Sequence, residues 1–324
     1  MKLHYTIALY FLLLLTACAP SAKMKNYDAY RYKPQANTAG KVQVTFLGVS
    51  SMLIDDGETQ LIMDGFVSRP GLFKTAFGKI KSDTNLVKKV IAQLNMHKVR
   101  AVFTAHSHYD HAMDAPYVAA LTGAALYGSP STLNIGRGAG LTEKQLYIYQ
   151  PGKELHFGKF TVIVLNSKHT PPIKVMGKSN DDLGVEIKQP LQQPAKLEAY
   201  SEGGAFDVLI KHHGKSMLIK ASTNFIPCAF DSLRVDYLFL GIASLSKQGE
   251  AFRDSFYSQT VAALHPQQVV PVHWDNFFKP LSNHLPALPK LAGSVRSDMD
   301  YLISRTKADK IELHIMQGFD RMEW

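Results

Sequence analysis

The sequence predicts an α/β fold in which two β-sheets pack face to face and helices cover their outer surfaces. Strands come first along the chain, mixed strands and helices follow, and this order occurs twice. Such an order is typical of a strand sandwich built from two similar halves. The chain has 324 residues, of which 46% are hydrophobic and 19% charged, as expected for a globular protein with an ample core.

The N-terminus has the pattern of an export signal. Met1-Lys2-Leu3-His4 is a short basic start, and the apolar run at 5–15 is too short to span a bilayer comfortably. The following Leu15-Thr16-Ala17-Cys18 resembles the lipobox of bacterial lipoproteins, which implies cleavage before Cys18 and lipidation of its thiol. We therefore expect residues 1–17 to be a signal peptide; an uncleaved anchor or an ordinary signal peptide is the alternative.

This interpretation places the protein in the bacterial cell envelope, held at the membrane by its lipidated N-terminus. Several acyl chains make such anchoring stable. Ala19, rather than Asp, follows the lipidated Cys18, which favours the outer membrane if the organism is Gram-negative. Residues 18–40 have no hydrophobic period, and we expect them to be the lipid anchor and a tether. Cys228 lies in an apolar context and is predicted to be a small buried side chain.

The remaining domain, predicted to occupy residues 41–324, opens with strands at 42–47, 52–55 and 60–64. Asp56-Gly57 forms a hairpin turn between the second and third, and Ser82 or Asp83 can cap the first helix. The further predicted elements are a strand at 99–103, a helix at 114–123, strands at 125–127 and 146–149 joined by a Gly- and Ser-rich connection, hairpins at 155–165 and 206–220, a strand at 237–240, a helix at 249–264, a strand at 268–273, a helix at 298–307 and a strand at 311–316. Long connections at 65–82 and 170–204 are expected to frame a site.

The chemistry is concentrated in His106-Ser107-His108-Tyr109-Asp110-His111, directly after the buried strand at 99–103. Side chains two apart on an extended chain point the same way, so His106, His108 and Asp110 can converge, and His111 follows as the chain turns. Neutral imidazole and ionised carboxylate are usual zinc ligands. The alternative is a polar loop that happens to be rich in His, but four fixed positions favour a metal site.

Other polar residues stand at the ends of later predicted strands. His169 follows the hairpin at 155–165, Ser222 follows the hairpin at 206–220, and His273 ends the strand at 268–273. Of thirteen histidines in the chain, five occupy such strand ends. Loops at strand ends are where α/β and sandwich folds place their sites.

From about Val42 to the C-terminus the chain resembles the metallo-β-lactamase superfamily, most specifically in its His-x-His-x-Asp-His motif. The resemblance implies an αβ/βα four-layer sandwich. It also implies two zinc ions. The first would be held by His106, His108 and His169, and the second by Asp110, His111 and His273. Asp64 matches an early Asp of the family that steadies the ligands.

The chain departs from the family pattern at Ser222, where many members carry an Asp that bridges the two metals. A hydroxyl is a poor zinc ligand beside carboxylate or imidazole. Either the second metal is lost, or three protein ligands per zinc leave open positions for water, as in the third subclass of zinc-dependent β-lactamases. With two zinc ions, Asp110 and one hydroxide, the formal site charge is about +2, which would favour anionic or strongly polarised substrates.

The predicted function is therefore hydrolysis of an ester, lactone, amide or phosphodiester bond of an extracytoplasmic substrate. Zinc lowers the pKa of bound water to roughly 7 and so supplies hydroxide at neutral pH. Asp110 would orient this nucleophile and shuttle its proton, with Tyr109, Ser222 and Trp274 as candidate substrate contacts. The sequence Val270-Pro271-Val272-His273-Trp274 resembles the branch that contains ascorbate-phosphate lactonase and N-acyl-phosphatidylethanolamine phospholipase D.

Two alternatives remain at this point: a β-lactamase of the third zinc-dependent subclass, and a non-catalytic metal-binding lipoprotein. The net charge of +9 would suit nucleic acid, an anionic membrane or acidic substrates. The predicted export argues against nucleic acid as a partner. A small-molecule or lipid substrate is expected instead.

Overall fold

The computed structural model describes residues 19–33, 41–175, 178–179 and 182–324, and within them the predicted fold is confirmed. Two seven-stranded mixed sheets are present, with strand orders β16-β1-β2-β3-β4-β5-β6 and β15-β14-β13-β12-β11-β8-β7, and a two-stranded pair β9-β10. The strands are β1 Gln43–Phe46, β2 Met52–Asp55, β3 Gln60–Met63, β4 Val99–Phe103, β5 Ala125–Gly128, β6 Leu146–Ile148, β7 Glu154–Phe157, β8 Phe160–Asn166, β9 Lys174–Val175, β10 Lys178–Ser179, β11 Phe206–His212, β12 Lys215–Lys220, β13 Tyr237–Gly241, β14 Gln268–Val272, β15 Glu312–Leu313 and β16 Arg321–Glu323.

Helices cover the outer faces of both sheets. The α-helices of the described part are α1 Leu72–Phe77, α2 Thr84–Gln93, α3 Tyr109–Ala112, α4 Ala115–Thr122, α5 Pro130–Gly138, α6 Glu250–Tyr257 and α7 Val295–Ala308. As predicted, Asp83 caps α2, and its carboxylate accepts hydrogen bonds from the Asn85 and Leu86 amides. In the part of the chain that the structure describes, no helix is both long and apolar enough to cross a bilayer.

Strand β4 shows why these layers form. Its Ala101 and Phe103 side chains belong to the core between the two sheets, whereas Val102 packs outward against the helical layer. All three are essentially inaccessible to solvent, as expected for a strand with both faces covered. The period of two along one strand thus supplies both the inner core and the floor on which α2 and α4 pack.

Two connections differ from the prediction. The Gly- and Ser-rich stretch at 129–145 contains helix α5, because Ser129 caps it by accepting from the Thr132 amide and Pro130 occupies its first turn. A Cβ on Gly136 would lie 2.7 Å from the Leu146 side chain, so this glycine permits close packing rather than marking a loop. The 65–82 connection likewise contains α1.

The N-terminal prediction is only partly accessible to the structure. The signal at 1–17 and the lipidation site Cys18 lie outside the described residues. Residues 19–33, assigned to the tether, instead pack on the domain through a 3-10 helix at Met24–Tyr30. Buried Tyr27 donates its hydroxyl to Asp300, at 2.8 Å, and Arg31 pairs with Asp320, at 3.1 Å. This stretch therefore belongs to the folded domain, because long-range partners hold it.

The environment of Cys228 differs from the prediction. Cys228 is exposed and has a positive φ of 61° in the irregular stretch between β12 and β13. The apolar neighbours that suggested burial in the sequence therefore do not enclose the thiol.

Candidate metal centre

Three imidazoles meet at one side of the candidate centre. His106 and His108 lie on the loop that leaves the C-terminal end of β4, and His169 lies just beyond β8. One side-chain nitrogen from each lies within 4.8 Å of the other two. His106 Nε2 is 3.0 Å from His108 Nδ1. His169 Nδ1 donates to the Thr170 carbonyl at 2.9 Å, which leaves the lone pair of the neutral ring on Nε2.

Asp110, His111 and His273 form a second group, whose ligand atoms also lie within 4.8 Å of one another. Asp110 Oδ2 is 3.3 Å from His273 Nε2 and 3.7 Å from His111 Nε2. Short helix α3 begins one residue before Asp110, so the chain turns there and carries His111 towards the same point. His111 Nε2 is buried and has no hydrogen-bond partner among the described residues. An unpartnered imidazole nitrogen facing a carboxylate fits a bound cation.

At three of the six residues the electrostatics favour the protonation states that metal ligands need. Burial, followed by the neighbouring imidazoles, holds the pKa of His106 well below its usual value and lowers the pKa of His169 to about 3. Burial opposes ionisation of Asp110, but the imidazoles of His111 and His273 outweigh it and lower the pKa of this carboxyl group. Neutral imidazoles and an ionised carboxylate are the ligand forms.

Asp64 forms a buried hydrogen bond with His111. Its Oδ2 accepts from His111 Nδ1 at 2.9 Å and from Ser50 Oγ at 2.5 Å, and its Oδ1 accepts from the Ala105 amide at 2.8 Å. Burial opposes protonation of His111, but the Asp64 and Asp110 carboxylates outweigh it and raise the pKa of this imidazole. Because Nδ1 is committed to Asp64, His111 presents Nε2 to the second group.

A buried ion pair fixes His273 relative to the first sheet. Arg69 Nη2 lies 2.8 Å from Asp275 Oδ2, with both side chains fully buried. The other Asp275 oxygen accepts from the Val49 amide at 2.7 Å, and the Val49 carbonyl accepts from the His273 amide at 2.7 Å. Gly48 leaves room for this guanidinium, since a Cβ there would lie 1.7 Å from Arg69 Nη2. Asp275 therefore links the loop after β14 to both the 65–82 connection and the loop after β1.

Sequence reasoning missed Asp182, which contacts the first group. Its Oδ2 lies 3.0 Å from His108 Nε2. The contact joins residues 74 positions apart. The one available signal was that Asp182 belongs to the 170–204 connection, which was expected to frame the site.

Both long connections line a cavity that contains four of the six candidate ligands. The cavity has a volume of about 370 Å³ and opens over His108, Asp110, His169 and His273. Its walls come from the two connections and from the loops after β4, β13 and β14. The aliphatic, Pro and Phe members of these walls are Leu72, Ala76, Pro171, Pro172, Ile173, Leu197, Ala243, Phe277, Phe278, Leu288 and Ala292.

Of the three candidate substrate contacts, only Tyr109 lies in the cavity wall, where its ring packs edge-on against Phe66 and Phe277. Trp274 does not line the cavity, and its side chain is fully buried in the core between the sheets. Ser222 is 4% exposed, directly beyond β12, and is not among the described residues that line the cavity.

Comparison with known proteins agrees with this geometry. The profile of the Metallo-beta-lactamase superfamily matches residues 44–219, more than half of the chain. A search of curated proteins found no match.

Several solved structures share the fold. Igni18, a metallo hydrolase from the archaeon Ignicoccus hospitalis, is 15% identical with a TM-score of 0.53, over 88% of this chain and 98% of that one. YhfI from Bacillus subtilis, a metallo-beta-lactamase fold protein, is 14% identical with a TM-score of 0.53, and the match covers 88% of this chain and 100% of that one. CmlA, a diiron β-hydroxylase from Streptomyces venezuelae, is 15% identical with a TM-score of 0.53, and the match covers 90% of this chain and 55% of that one. Such identities show the fold alone.

Proposed function

Since the chain belongs to the metallo-beta-lactamase superfamily, we propose that it is a metal-dependent hydrolase. The bond it cleaves would be an ester, lactone, amide or phosphodiester. The observation that carries this proposal is the pair of three-residue ligand groups at one cavity. A buried cluster of this kind, with unpartnered nitrogen and an ionised carboxylate, has the chemistry of a metal centre rather than of a packed core.

Two ions would be held, one by each group. His106, His108 and His169 would hold the first, and Asp110, His111 and His273 the second. When bound, divalent ions would supply an activated water and polarise the carbonyl or phosphoryl oxygen of the substrate. We propose zinc, since imidazole and carboxylate suit it, although the same ligands also suit iron.

The chain's own residues have distinct parts in this proposal. Asp110 would hold the attacking water and accept its proton at Oδ1, the oxygen not used in its contacts with His111 and His273. Asp64 and Asp182 would fix the orientations of His111 and His108. The apolar walls would exclude water and accept a hydrocarbon portion of the substrate.

We also propose that the protein is anchored in the bacterial envelope through Cys18, and that its substrate is a small molecule or lipid found there. The lipobox-like sequence supports this location. Replacement of Cys18→Ser is expected to abolish acyl labelling and to release the protein from the membrane fraction. Equal labelling and membrane association of the variant would contradict the anchor.

A substrate screen tests the activity. Zinc-loaded protein is assayed against lactone, β-lactam, phosphodiester and phospholipid substrates, with His106→Ala as the variant lacking a ligand and Tyr147→Phe as a control far from the cavity. Turnover of one class by the parent and Tyr147→Phe, but not by His106→Ala, is expected. Binding of metal without turnover of any class would favour a non-catalytic metal-binding protein.

A further inference from the structure

Helix α1 exposes an aromatic pair on its outer side. Phe73 and Phe77 are 82% and 84% exposed, and their ring centroids lie 6.3 Å apart. The other exposed large hydrophobic residues of the described chain reach only 41–52%. Residues four apart share one side of a helix, so both rings project together. Burying them would be favourable, so such a pair marks an interaction surface.

This pair stands at the rim of the cavity described above. The neighbouring residues Leu72, Thr75 and Ala76 of the same helix form part of the cavity wall. Two more exposed apolar residues, Leu183 and Val185, follow Asp182 on the connection that forms another part of that wall. Exposed apolar side chains therefore occur on two of the segments that form the cavity wall.

The charge next to the pair is positive. Lys74, Lys79 and Lys81 are exposed, and residues 65–82 contain neither Asp nor Glu. Among the described residues that line the cavity, Glu198 is the one exposed carboxylate. Aromatic rings flanked by lysines match the boundary of an anionic bilayer, where rings enter the headgroup region and lysines contact phosphates.

We propose that this surface, formed by Phe73, Phe77, Lys74, Lys79 and Lys81, docks on a lipid bilayer containing anionic headgroups. Helix α1 has six residues, so it would lie in the interface plane rather than cross the bilayer. The contact is additional to the predicted lipid at Cys18 and does not depend on the proposed hydrolysis. It would fix the orientation of the folded domain, with the cavity mouth towards the lipid.

A second copy of the chain is a poorer occupant. A two-fold dimer through this surface would place Lys74, Lys79 and Lys81 opposite the same residues of its partner. The like charges would repel at close range. An anionic bilayer instead offers charge complementarity as well as an apolar region for the rings.

Depth-dependent fluorescence quenching tests the proposal on the full-length lipoprotein. The Phe73→Trp and Phe77→Trp variants are reconstituted in vesicles of phosphatidylglycerol with phosphatidylcholine, with or without bromine on the acyl chains. The parent supplies the background of Trp274 and Trp324. Tyr147→Trp is the control, because Tyr147 is 45% exposed and lines a cleft with Val99 and Ala125, the first residues of β4 and β5, at the opposite end of the sheet.

Brominated lipid should remove emission added by Phe73→Trp and Phe77→Trp, and leave the emission added by Tyr147→Trp unchanged. Two variants at separate positions guard against a local defect in either one. Quenching at residues 73 and 77 that does not exceed that at residue 147 would overturn the proposal. A second outcome would also overturn the proposal: the protein sediments as a dimer, Phe73→Asp converts it to a monomer, and residues 73 and 77 show no preferential quenching. That outcome would assign the surface to a second copy of the chain.

Discussion

Replacing Asp182 with alanine should weaken metal binding by the three-histidine group. The Asp182 carboxylate lies 3.0 Å from His108 Nε2, while His108 Nδ1 lies 3.0 Å from His106 Nε2. An acceptor at Nε2 keeps the ring proton there and directs the Nδ1 lone pair into the group. Without the acceptor, the ring is free to change tautomer and to rotate.

The magnitude follows from how exposed this contact is. Partners of metal-bound histidines typically contribute 10–100-fold in metal affinity. The Asp182 side chain is 26% exposed and the His108 side chain 13%, so water can replace part of the lost bond. We therefore expect Asp182→Ala to weaken binding about tenfold, near the lower limit of that range. Asp182→Asn, which retains a neutral acceptor, should lose less.

Competition with a chromophoric chelator measures this effect. Using His273→Ala as the background leaves the three-histidine group as the site to be titrated. Glu198→Ala is the matched control, since Glu198 is an exposed carboxylate of the same connection and cavity wall. Equal metal affinities of the Asp182→Ala and Glu198→Ala variants would refute the reasoning.

Three further predictions concern separate parts of the fold. Ser222→Asp should tighten the second metal by adding a carboxylate ligand; unchanged zinc stoichiometry and affinity would contradict this. Asp275→Ala should lower the free energy of unfolding by about 3–5 kcal/mol, since Arg69 stays buried without its partner. Glu143→Ala removes the exposed Arg137–Glu143 ion pair and should leave the denaturation midpoint unchanged. Equal losses of stability in Asp275→Ala and Glu143→Ala would contradict the role of burial. Burial raises the pKa of Asp298 from 3.8 to about 7, so the parent loses stability as the pH rises through that range. Asp298→Asn should therefore stabilise more at pH 8 than at pH 5, by about 2–3 kcal/mol in urea denaturation, and a pH-independent gain would exclude the mechanism.

The part of the site that the sequence could predict is the part encoded locally. His106 to His111 are contiguous, and the strand before them has apolar side chains on both faces, so motif and position follow from short-range patterns. His169 and His273 were found because each follows a recognisable strand. The sheet order then brings those strand ends to one edge, which is a consequence of the fold class.

The rest depends on contacts between distant segments. Asp182 carries no local signal, because its partner His108 lies 74 positions away. The hydrogen-bond partner of Tyr27 is Asp300, which lies 273 positions later in the chain. Because local composition carries no trace of that partner, it predicted a tether there. Trp274 directly follows a candidate ligand, yet its side chain lies in the core, and the backbone between the two has a positive φ of 59° at His273 that the sequence does not reveal.

If two groups of three residues hold two metals, the zinc content of the protein depends on both groups. Elemental analysis of zinc-loaded, dialysed protein measures that content. About two zinc ions are expected per parent chain, about one in either His169→Ala or His273→Ala, and almost none when both residues are replaced. A parent that retains no zinc, or single variants that each retain the full parental content, would contradict this expectation.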